Sequence, residues 1–252
     1  MVSTRCEKQL AMRTEVKGFN AMKSPIILAL DTNNLDTAKS WIEATNSSVG
    51  VYKVGLEFYL RFGAQGLREL SSAGNFSIFL DLKLHDIPNT VSAAVTSVAD
   101  LAPKFLTIHA SGGAAMIKAA SEAAKEISIT AVTILTSLSD EDLLEIGYSQ
   151  EAKPAALNLA KLATTNGARS IVCSPFEANE IRKLVAPEIQ IITPGVRPAG
   201  SEMGDQKRVM TPLEALTAGA DYIVIGRPIT DLAKKSLQDM KNGAAKILDS
   251  LK

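Results

Sequence analysis

Ser77-Ile78-Phe79-Leu80-Asp81-Leu82-Lys83 is the stretch on which the fold turns. Side chains of an extended chain alternate faces, so Phe79, Asp81 and Lys83 share one side while Ile78, Leu80 and Leu82 share the other. The aliphatic side suits helices packed outside a sheet. The other side carries a carboxylate and an ammonium near the end of the strand. Buried charges are tolerated when paired, and these two can pair with each other. Such a strand fits the wall of a barrel whose strand ends converge on a mouth.

Working outward, short aliphatic runs recur at 26–31 (IILALD), 50–55 (GVYKVG), 104–109 (KFLTIH), 129–136 (ITAVTILT), 169–173 (SIVCS), 189–193 (IQIIT) and 221–226 (DYIVIG). Helical patterns lie between them, among them 57–73, 88–101, 113–126, 154–166 and 229–251. Eight strands each followed by a helical segment predict an α/β fold, a single-domain (β/α)8 TIM barrel. A doubly wound open sheet also alternates, but it favours a Gly-rich first turn. The first turn here, Asp31-Thr32-Asn33-Asn34, has no glycine. Aromatics make up only 5% of the 252 residues, so the core is expected to be built from Ile, Leu, Val and Ala.

Lysine plus arginine and aspartate plus glutamate balance at 27 each, which leaves no footprint for nucleic acid. No apolar run is long enough for a membrane span. Cys6 and Cys173 are far apart, and with only His85 and His109 they offer no metal cluster. Free thiols in a cytoplasmic protein are the expectation. Residues 1–24 read as a disordered N-terminal extension, with Met22 as an alternative initiator, and 25–252 as the catalytic barrel. The extension has no apolar core of a secretory signal.

Active sites of such barrels lie at the C-terminal strand ends. Asp31, Lys53, Asp81, Lys83 and His109 all fall there. Several charges of alternating sign at one mouth are harder to explain as solvated strand ends than any one alone. Asp86, in the following turn, extends the array or else caps the next helix. His109 reads as structural, and His85 carries no assigned role. The connections after the seventh and eighth strands, Pro194-Gly195-Val196-Arg197 and Gly226-Arg227-Pro228, each pair a glycine with an arginine where barrels bind phosphate. Residues 194–210 form a long connection containing Arg197, Gln206, Lys207 and Arg208, read as a lid over an anion.

Phe79-Leu80-Asp81-Leu82-Lys83-Leu84-His85-Asp86-Ile87-Pro88-Asn89-Thr90-Val91 resembles the signature of orotidine 5′-monophosphate decarboxylases. Asp31, Lys53 before Val54-Gly55, His109-Ala110-Ser111-Gly112-Gly113, Leu135-Thr136-Ser137, Thr193 to Arg197 and Gly226-Arg227 follow in the same order. The resemblance implies cofactor-free and metal-free decarboxylation of orotidine 5′-monophosphate to UMP. It implies that Asp31 and Lys53 hold the ribose, Asp81 stands by the leaving carboxylate, and Lys83 protonates C6. Thr136 would contact the pyrimidine, and Arg197, Gln206, Gly226 and Arg227 the phosphate. Asp86, with Ile87 and Thr90, would enter the partner subunit's site, which makes a homodimer.

Three rivals stand beside it. Metal-dependent sugar-phosphate barrels, such as 3-hexulose-6-phosphate synthases and 3-keto-L-gulonate-6-phosphate decarboxylases, share Asp-x-Lys-x-x-Asp but typically carry Glu where Lys53 stands. A Schiff-base aldolase would need Lys83 neutral, against Asp81 and Asp86. A non-catalytic sugar-phosphate-binding barrel would not need the full Asp–Lys array.

Overall fold

The computed structural model describes residues 24–198 and 210–251. Eight parallel strands close into a barrel in sequence order: β1 (Ile26–Ala29), β2 (Val51–Val54), β3 (Ser77–Leu84), β4 (Phe105–His109), β5 (Ser128–Val132), β6 (Ser170–Val172), β7 (Gln190–Thr193) and β8 (Tyr222–Ile225), with β8 pairing back onto β1. The first helices are α1 (Leu35–Thr45), α2 (Leu56–Ser71), α3 (Pro88–Ser97), α4 (Gly113–Ala123) and α5 (Asp140–Glu145). They are followed by α6 (Ala152–Thr165), α7 (Ala178–Leu184), α8 (Pro212–Thr217), α9 (Arg227–Thr230) and α10 (Leu237–Asp249). The TIM barrel anticipated from the alternation is the fold. No helix among the described residues is long and apolar enough to cross a membrane.

Two apolar layers follow from strand alternation. Ile26, Leu28, Tyr52, Leu80, Leu106, Ile108 and Ile171 point outward and pack with helix residues such as Ile42, Val95, Ile117 and Ile181. Ile27, Ala29, Val51, Phe79, Phe105, Ile192, Tyr222 and Val224 point inward and fill the barrel. The aliphatic expectation holds for most of both layers, but three of the eight inner residues, Phe79, Phe105 and Tyr222, are aromatic. Phe105 packs edge-on against Phe79 and Tyr222, with ring centroids 5.6 and 5.5 Å apart. Lys104 lies over both Phe105 and Tyr222 and donates to the Tyr222 hydroxyl at 2.6 Å. Three aromatics thus meet inside the barrel, a local grouping that composition averages over.

Several boundaries differ from the sequence reading. The fifth run does not stay in the sheet to 136: its last pair is Val132 opposite His109, and Ile134 to Thr136 turn over the mouth. A continuous run of aliphatic and threonine residues carries no mark of where pairing stops. The pattern at 229–251 is not one helix. Asp231–Lys234 form a 3-10 turn, and the Ser236 hydroxyl accepts the Asp239 N–H to start α10 afresh. Inside α2, Gly63 adopts φ 58° and interrupts the helical path. Just before β1, Ser24 is buried and its hydroxyl accepts the Ile26 N–H. Residues 1–23, including Cys6, lie outside the described residues.

Candidate active site

β3 supplies the centre of the site through an irregularity. Leu80 pairs with Leu106 of β4, but Leu84 pairs with Ile108. Asp81, Leu82 and Lys83 therefore stand against Thr107 alone, a local bulge of the kind that re-aims side chains at barrel rims. Lys83 takes φ 49°, a left-handed conformation uncommon for a residue with a Cβ. Plain alternation anticipated that Asp81 and Lys83 would face together. They do, but by way of the bulge.

The charges form a chain. Lys83 Nζ lies 2.8 Å from both oxygens of Asp81. Lys53 Nζ lies 3.5 Å from Asp81 Oδ2 and 3.3 Å from Asp31 Oδ1. Asp31, Lys53, Asp81 and Lys83 thus run in alternating sign from an exposed edge to a buried centre, with Asp81 only 8% exposed. Burial alone would raise the Asp81 pKa. The ammoniums of Lys53 and Lys83 and the Thr107 hydroxyl outweigh it, and the carboxyl stays below its usual range. It is ionised at neutral pH.

A cavity of about 180 Å³ opens beside this chain, lined by Lys53, Asp81, Lys83 and Thr136 on its polar side. Phe79, Val132, Ile134, Val172 and Val224 are among its apolar lining. An apolar wall beside a dense charge array lowers the local dielectric and strengthens the field on anything bound there.

The phosphate candidates sit on the next two connections. Gly195 has φ 74°, which explains the glycine in that turn without any ligand. Arg197 is buried, and its N–H donates to the Met210 carbonyl at 3.0 Å. With the Val196–Met210 bridge this closes the base of the long connection. Residues 199–209, and with them Gln206, Lys207 and Arg208 of the anticipated lid, lie outside the described residues. Arg227 opens α9 and lines an open groove with Asp31, Thr37, Trp41 and Thr230. A Cβ on Gly226 would lie 3.8 Å from Asp31 Oδ2, so its bare face looks toward the ribose candidate.

Asp86 does not join the chain of charges. It is exposed and makes no ion pair among the described residues; its Oδ1 accepts the Ile87 N–H instead. Nor does it cap α3, because the N-cap position is Ile87, followed by Pro88. Asp86, Ile87 and Thr90 form an outward-facing row, and Ile87 is 66% exposed. His109 stands at the end of β4, its ring centroid 5.5 Å from that of His85. Burial first, and then the electrostatic influence of His85 and Lys83, lower its pKa, which favours a neutral ring. Thr107 is the residue the sequence reading missed. Its signal was present, since Phe105, Thr107 and His109 share the inward face of the fourth strand.

A family model for the orotidine 5′-phosphate decarboxylase / HUMPS family matches residues 24–238. The chain is 54% identical over 209 residues to an orotidine 5′-phosphate decarboxylase of Thermobifida fusca, covering 83% of this chain and 90% of that one. It is 48% identical over 210 residues to one from a Wolbachia strain of Culex pipiens, with 82% and 92% covered. Among solved structures, the orotidine 5′-phosphate decarboxylase of Lactobacillus acidophilus superposes with a TM-score of 0.75 at 33% identity, covering 89% of this chain and 99% of that one.

Proposed function

The chain belongs to the orotidine 5′-phosphate decarboxylase / HUMPS family, and from that premise we propose that it converts orotidine 5′-monophosphate to UMP and CO2 as the last step of UMP synthesis. The observation that carries this is the Lys53–Asp81–Lys83 array, with an ammonium 2.8 Å from a buried carboxylate beside a partly apolar cavity.

The chemistry suits those groups. Breaking the bond from C6 to the carboxylate leaves an electron pair on C6, with no adjacent carbonyl to spread it. The Lys83 ammonium stabilises that developing charge electrostatically and then gives C6 its proton. The neutral amine left behind is reprotonated from water after release. Asp81, ionised, stands beside the departing carboxylate. At roughly 4 Å and an effective dielectric near 20, like charges repel by about 4 kcal/mol. Relief of that repulsion would be worth about three powers of ten in rate at most. The remainder falls to preorganised charge and to binding of the remote phosphate by Arg197, Gln206, Gly226 and Arg227. Asp31 and Lys53 hold the ribose hydroxyls, and Thr136 contacts the pyrimidine.

No cofactor or metal is needed in this reading. Lys53 occupies the position where the sugar-phosphate members of the wider group carry a metal-binding Glu. An ammonium 3.3 and 3.5 Å from the two nearest carboxylates competes with a dication for them. The aldolase reading is opposed by the same geometry, because Lys83 Nζ is engaged in an ion pair with Asp81 at 2.8 Å. We further propose a homodimer in which Asp86, Ile87 and Thr90 complete the partner's site. The exposure of that row supports it. The buried free thiol of Cys173 agrees with a cytoplasmic location.

The test is direct. The purified chain, treated exhaustively with EDTA, should discharge the ultraviolet absorbance of orotidine 5′-monophosphate and yield UMP. No turnover, or turnover restored only by added Mg2+, would sink the proposal.

A further inference from the structure

Thr107 is fully buried at the centre of β4 and carries two hydrogen bonds that the decarboxylation scheme does not yet use. Its Oγ1 accepts the Lys83 backbone N–H at 2.8 Å and donates to Asp81 Oδ1 at 3.0 Å. A hydroxyl has one proton to give. With the Lys83 amide occupying its acceptor side, that proton is directed to Asp81. One oxygen atom thus ties the left-handed backbone of Lys83 to the carboxylate that Lys83 Nζ itself grips at 2.8 Å. Lys83 is held at both ends of its side chain, and the loop closes through Thr107.

We propose that Thr107 is a positioning residue for the decarboxylation, its hydroxyl fixing Asp81 and the Lys83 backbone relative to each other. The proposal rests on the decarboxylase reading above. Its physical need appears during turnover. When Lys83 Nζ turns to C6, Asp81 Oδ1 loses one of its donors while the carboxylate stays buried. Thr107 keeps a hydrogen bond on that oxygen throughout, so the carboxylate does not rotate. It also holds the bulged backbone that aims Lys83, which the β3–β4 pairing alone does not fix, since the register shifts there. A positioning error of an ångström at the proton donor is enough to slow chemistry severely.

The test compares Thr107→Val, which keeps the shape and removes the hydroxyl, with Thr107→Ser, which keeps the hydroxyl and removes the methyl. Three quantities are measured for each full-length variant: kcat and KM for orotidine 5′-monophosphate, the dissociation constant of UMP, and the thermal midpoint. Thr107→Val should lose about 10- to 100-fold in kcat, the scale of a hydrogen bond to a charged group. UMP binding should stay within about threefold, because the product has no carboxylate for Asp81 to face. Thr107→Ser should retain kcat within about threefold. A Thr107→Val enzyme with wild-type kcat overturns the proposal. So does a Thr107→Ser enzyme as slow as Thr107→Val, which would mean packing of the methyl and not hydrogen bonding. Proportional losses of kcat and UMP affinity in Thr107→Val, with a lowered midpoint, overturn it in favour of a structural role. Should Thr107→Val not fold, Thr107→Ala read against Thr107→Ser gives the same contrast. A wild-type chain without turnover removes the decarboxylase reading and this proposal with it. An active wild type with an unaffected Thr107→Val removes this proposal alone.

Discussion

Lys83 and Asp81 show how much of a site can hang on a few atoms. Neither residue would be stable in this setting alone: a carboxylate that is 8% exposed needs cations, and two ammoniums at one mouth need a carboxylate between them. The array is therefore self-consistent before any substrate arrives, as electrostatic preorganisation requires. Arg227, proposed to act at the other end of the substrate, sits at an exposed helix start. Arg227→Ala should accordingly fold normally and weaken capture of the phosphorylated substrate. We expect kcat/KM to fall by about 100-fold or more and kcat by less, the pattern of lost binding at a remote group. Steady-state kinetics check this, and equal parameters for variant and wild type would remove Arg227 from the phosphate site.

At the scale of elements, the inner layer of the barrel carries the load of holding the strand ends in place. Phe105 is fully buried and touches Phe79 and Tyr222 edge-on, so it links β4 to β3 and β8 across the interior. Removing its ring leaves a cavity that the closed strands cannot collapse into. Phe105→Ala should destabilise the fold by about 3–5 kcal/mol, with part of that from the cavity and part from the aromatic contacts. Chemical denaturation measures it. A loss under about 1 kcal/mol would mean that the interior repacks readily. Phe79 also lines the cavity beside Asp81, so the layer that closes the barrel and the floor of the site are the same residues.

At the scale of the whole molecule, the exposed row of Asp86, Ile87 and Thr90 is the feature one chain leaves unused. Asp86 makes no ion pair with Lys83 of its own chain, although the two are close in sequence. The shared-site proposal makes a prediction that no single variant can. Lys83→Ala and Asp86→Ala, each expected to be nearly inactive, are mixed and allowed to exchange subunits. Heterodimers then contain one site lacking both groups and one intact site, so up to about half of the heterodimer sites should regain activity. If Asp86 serves its own chain, every site lacks one group. Subunit exchange confirmed by mass, with no recovered activity, would defeat the shared site and leave the decarboxylase reading untouched.

The sequence by itself determined the barrel and the membership of its mouth. Eight aliphatic runs separated by helical patterns admit few closed solutions, and alternation on the third strand assigned Asp81 and Lys83 to one side because strand period is a local property. The motif from Phe79 to Val91 carried the family for the same reason: it is contiguous. What only the tertiary structure decided lies between strands. The β3–β4 register shift, the left-handed turn at Lys83 and its support by Thr107 depend on which residues of two strands lie opposite each other. No spacing within either strand encodes that. The same holds for Asp86, whose carboxylate turns to the Ile87 amide and away from Lys83. Past the end of a strand, periodicity no longer says where a side chain points.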